Sequence, residues 1–84
     1  MLTKQDRAYT PTVDSMMGDV LQTLSTIDIH FDAELERLEK SSTDEELKNY
    51  IKRKLLARHR EKRVPYVELL TELRKHQHRL AFVA

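Results

Sequence analysis

The sequence predicts an all-α protein, a small three-helix bundle with a long first helix and an antiparallel hairpin of helices 2 and 3. Three observations predict it. Apolar residues recur at helical spacing along nearly the whole chain. One glycine and two prolines in 84 residues leave too little turn chemistry for an all-β fold. Hydrophobic residues make up 39% and charged residues 35%, so one thin core is all this chain can build.

Residues 1–11 are polar, aperiodic and end at Pro11, which reads as a flexible N-terminal arm or one that docks on a partner. Residues 12–84 then form a single helical domain. Helix 1 is expected from about Thr12 to Lys40. Its seam is Val13, Met17, Val20, Leu24, Ile27, Phe31, Leu35 and Leu38, every step three or four residues. Met16 and Leu21 widen it. Such a helix is about 40 Å long, a length typical of bundles and coiled coils. Ile27 to Asp32 alternates with period two, but a lone strand has nothing to pair with. Gly18 weakens the helix or marks a close helix crossing.

Ser41-Ser42-Thr43-Asp44 breaks the pattern. Ser42 with Glu45, or Thr43 with Glu46, has the spacing of a capping box. Helix 2 follows from about Thr43 to Lys62, with Leu47, Tyr50, Ile51 and Leu55 as its seam. Pro65 suits the first turn of a new helix, so a short connector at Arg63-Val64-Pro65 is expected to reverse the chain. Helix 3 then covers about Pro65 to Ala81, with a seam of Tyr66, Leu69, Leu70, Leu73, Gln77, Leu80 and Ala81. Gln77 within that seam fixes register, or sits at a partly exposed helix end.

Net charge is only +1, yet it is segregated. Residues 1–47 carry eleven acidic and four basic side chains, net −7; residues 48–84 carry three acidic and eleven basic, net +8. Either the basic half meets an acidic partner or the two halves pack together and compensate. The basic run is KRKLLARHREKR at 52–63. At about 100° per residue, Lys48, Lys52, His59 and Arg63 share one helix face, with Arg53 and Arg60 beside it. Lys52, Arg53, Arg58, Arg60, Lys62 and Arg63 are candidate phosphate contacts, or a solvated helix end that balances helix 1. No aromatics interleave, so stacking on single-stranded bases is poorly supported.

The carboxylates Asp28, Asp32 and Glu36 form a ridge, either solvated or complementary to cations on another helix. His30 and Glu34 sit four apart, but no HExxH is present and there is no cysteine, so no metal and no cofactor is expected. His59 lacks the small neighbours that clear space around a phosphoacceptor histidine. No stretch approaches the roughly 18 apolar residues of a membrane span. MLTKQDRAYTP has no apolar leader core, so a cytoplasmic protein is expected.

Three apolar residues fall off the seams: Ile29, Leu56 and Phe82. Together they suggest a partner-binding surface. Helix 1 also presents about ten apolar residues against four or five on helix 2 before that helix turns cationic. The expected function is therefore a non-enzymatic protein–protein interaction or regulatory module. It associates with itself as a homodimer, or with another helical protein. A nucleic-acid-associated protein using the basic end of helix 2 is the alternative.

Overall fold

The computed structural model describes residues 9–83, with side chains over 12–80. It contains two helices, α1 (Tyr9–Lys40) and α2 (Glu45–Val83), joined by residues 41–44. They form one antiparallel helical hairpin, 61 × 21 × 14 Å. The expected three-helix bundle is thus corrected to a hairpin of two long helices. Of the arm expected over residues 1–11, only 9–11 are described, as the start of α1; the rest lies outside the described residues.

The error lies at Pro65, which sits inside α2. A straight helix of this length spans about 58 Å, and the longest dimension is 61 Å, so the chain cannot turn back there. Two local facts explain why. Arg63-Val64-Pro65 has none of the glycine, asparagine, aspartate or serine that a tight reversal uses. The carbonyl that Pro65 deprives of its donor belongs to Glu61. Both residues are exposed, so water can satisfy that oxygen. The cost of an interior proline, about 3 kcal/mol, is offset by apolar burial beyond it at Leu70 and Leu73.

The reversal occurs where turn chemistry is present. Ser41 Oγ donates to the Leu38 carbonyl (2.7 Å) and accepts from the Thr43 amide (3.3 Å), closing the end of α1. The N-cap of α2 is Asp44, rather than Ser42 or Thr43: its Oδ2 accepts from the Leu47 amide at 3.3 Å, and its carbonyl accepts from Lys48 at 2.8 Å. Glu45 and Glu46 follow in the first turn, where the helix dipole favours acids.

The apolar core lies at the end away from the loop. Val13, Val20 and Leu24 of α1 pack with Leu70 and Leu73 of α2, flanked by Met17 and Leu80. Leu38 is buried near the loop, and no described side chain is completely enclosed. Leu47 and Tyr50, expected in the helix 2 seam, are half exposed, as are Leu69 and, less so, Tyr66 from the helix 3 seam. Gly18 is not a close crossing, because a methyl group there would meet nothing within 4 Å. Among the described residues, no helix is long and apolar enough to cross a membrane.

Candidate interaction surface

Two surfaces emerge from this geometry, one between the helices and one facing outward. Between them, the face of α2 bearing Lys48, Lys52, His59 and Arg63 turns toward α1. Lys48 Nζ donates to the Glu39 carbonyl at 3.1 Å. Lys52 pairs with the Glu39 carboxylate. About two turns farther along α2, Asp28 Oδ1 accepts from His59 Nε2 at 2.7 Å. Asp28 also receives Arg63 through both of its oxygens, at 2.6 and 2.7 Å. The His59 ring stacks on Phe31, with centroids 4.1 Å apart and planes 15° from parallel. Farther on, Gln77 Nε2 donates to Asp14 Oδ1 at 2.7 Å, so this seam polar group is spent on the hairpin itself.

The acidic and basic halves therefore meet directly across the helix contact. His59, ahead of Arg63, lowers the pKa of Asp28 by hydrogen bonding to its ionised form. Lys52 does the same to Glu39 and is itself raised by it. Of the six candidate phosphate contacts, Lys52 and Arg63 are thus engaged with α1. Arg53, Arg58, Arg60 and Lys62 have no ion-pair partner among the described residues. They divide between two flanks of α2, Arg53 and Arg60 on one, Arg58 and Lys62 on the other.

The outward surface is an open apolar groove along α2. Leu56, Val64 and Val67 form its floor, at 39%, 50% and 42% exposure. His59, Arg60, Arg63 and Glu68 form its rim. Because Arg63 and His59 are both tied to Asp28, that side of the rim is held in place.

The three apolar outliers do not converge. Leu56 lines the groove. Ile29, 61% exposed, stands on the side of α1 turned away from α2. The side chain of Phe82 lies outside the described residues. Val64 and Val67 were missed because the expected chain reversal placed them in a connector and a new helix. Once helix continues through Pro65, Leu56, Arg60, Val64 and Val67 follow at steps of four, four and three, one unbroken stripe. The Asp28–His59–Arg63 contact had a legible signal in the shared face of His59 and Arg63, but its register against α1 did not.

The reason for expecting a surplus also changes. α2 has 39 residues against 32 in α1, so it covers the first helix end to end. What stays uncovered is the flank of a two-helix packing, most of it on α2. Compared with known proteins, the chain matches no protein-family model, no curated protein and no solved structure.

Proposed function

We propose that this chain is a non-enzymatic interaction module, set in the cytoplasm, that associates with copies of itself through the groove face of α2. The observation that supports this reading is the row Leu56, Val64 and Val67, open to solvent on one face of α2 with Arg60 between the first two. Scattered apolar residues on a surface need no explanation, whereas apolar residues gathered in one rimmed groove point to an interaction site. The histidine and carboxylate that meet, His59 and Asp28, do so with Arg63 on the same carboxylate. That arrangement fastens one helix to the other.

Sedimentation equilibrium from low to high micromolar protein, at two salt concentrations, tests the reading. The wild type is expected above monomer mass, and Val64→Asp is expected to return it to monomer with unchanged helical circular dichroism. A wild-type chain that stays monomeric throughout overturns it.

A second reading, nucleic-acid association, is favoured by Arg53, Arg58, Arg60 and Lys62, four of the six candidate phosphate contacts, which have no ion-pair partner among the described residues. It predicts binding to duplex or single strand that weakens steeply with salt. With Lys52 and Arg63 committed to α1, the slope should reflect about four phosphate contacts at most. No binding at low salt removes this reading.

A further inference from the structure

We infer that the cleft between the helices, on the flank opposite the groove, binds a dianionic phosphoryl group, free or as a phosphomonoester. This goes beyond the reading above and needs neither the groove nor a second copy.

The two flanks of the hairpin treat their charges differently. At about 100° per residue, Asp28 and Glu39 lie on one side of the α1 seam, and His30, Glu34 and Arg37 on the other. On the first side both carboxylates meet cations of α2, Arg63 and Lys52. On the second side α2 presents Arg58 and Lys62. Two adjoining openings there share His30, Glu34 and Lys62; Arg58 completes one and Arg37 the other. Glu34, Arg37, Arg58 and Lys62 form no ion pair among the described residues. In α1 the bases are Arg37 and Lys40, and Lys40 is matched by Glu36. The base left over is the one that lines the same opening as Lys62.

Like charges drawn from two helices to one cleft repel each other, and an anion between them relieves that repulsion. Arg37, Arg58 and Lys62 against Glu34 leave a net charge of +2. A phosphomonoester carries about −2 at neutral pH, so charge balance favours it over chloride. Two arginine forks match phosphate oxygens, a lysine adds a point charge, and His30 offers a ring N–H. The floor is apolar and partly buried, made by Ile27, Phe31 and Leu55. His59, stacked on Phe31 and bonded to Asp28, holds that floor in place. An ester group resting there would bury apolar surface that free phosphate does not.

Calorimetric titration of the full chain with inorganic phosphate and with phenyl phosphate, at an ionic strength held constant with sodium chloride, tests the site. Saturable binding of one anion per chain is expected. Arg37→Gln and Lys62→Gln, both at exposed positions, should each weaken it about tenfold, the scale of one lost charge-assisted hydrogen bond. Glu34→Gln should tighten it, and Arg53→Gln, on the other flank, should leave it unchanged. Arg37→Gln should also melt higher than the wild type in phosphate-free buffer, because repulsion in the empty cleft is removed. Tighter binding of phenyl phosphate identifies an ester as the better ligand; equal affinity shows that the phosphoryl group suffices. If neither anion saturates, or if Arg53→Gln weakens binding as much as Lys62→Gln, the inference falls. It falls equally if a duplex oligonucleotide binds while both small anions fail, an outcome that leaves the nucleic-acid reading standing.

Discussion

Asp28 is where the polar contacts between the helices converge. It accepts hydrogen bonds from His59 and Arg63, two residues one turn apart on α2, while His59 is clamped from its other side by Phe31. The ionised carboxylate is favoured in the folded state, so its folded pKa lies below the ordinary value of 3.8. The stability it contributes is fully present above that ordinary value and is lost as pH falls through the depressed one. Asp28→Asn is therefore expected to lower the melting temperature at neutral pH. The gap between variant and wild type should narrow as pH drops below about 4, which thermal melts at stepped pH will measure. Two curves that stay parallel down to strongly acidic pH would show that Asp28 contributes by packing and not by charge.

Pro65 decides the architecture at the scale of the element. Its ring removes one backbone hydrogen bond from α2 on an exposed face, and the helix continues because packing beyond it rewards continuation. Pro65→Ala should restore that bond and raise stability by up to about 3 kcal/mol, read as a higher melting temperature with unchanged or greater helical signal. Had Pro65 opened a third helix, the same change would weaken a helix start, and a falling melting temperature would restore that reading. The all-helical class, the seam of α1 and the break at 41–44 were legible because spacing and turn chemistry are local properties. The continuity of α2 was not, because a proline is punctuation only when no tertiary surface outweighs it. The same limit hid the groove. Leu56 was visible alone as an outlier, but Val64 and Val67 join it only on a helix that passes through Pro65. Lys48, Lys52, His59 and Arg63 were correctly grouped on one face, yet periodicity does not say whether such a face meets water, phosphate or a neighbouring helix.

For the whole molecule, two rods side by side bury little in proportion to what they expose. Among the described residues, six apolar side chains are well buried and none is fully enclosed. Such a hairpin gains from any further copy that covers its flank, and its measured stability becomes a function of concentration. The melting temperature of the wild type is expected to rise with protein concentration, and that of Val64→Asp to stay flat. A flat wild-type series would mark the hairpin as sufficient by itself.

The placement of contacts along the rods has one last consequence. The loop-proximal half is joined largely by charged groups, Glu39 with Lys52 and Asp28 with Arg63, while the distal half is joined by Val13, Val20, Leu24, Leu70 and Leu73. Concentrated electrolyte screens the former and strengthens the latter. Amide exchange should consequently accelerate near the bend in brine while slowing at the open tips, so that the hairpin loosens first at its hinge, the end where its two helices are covalently joined.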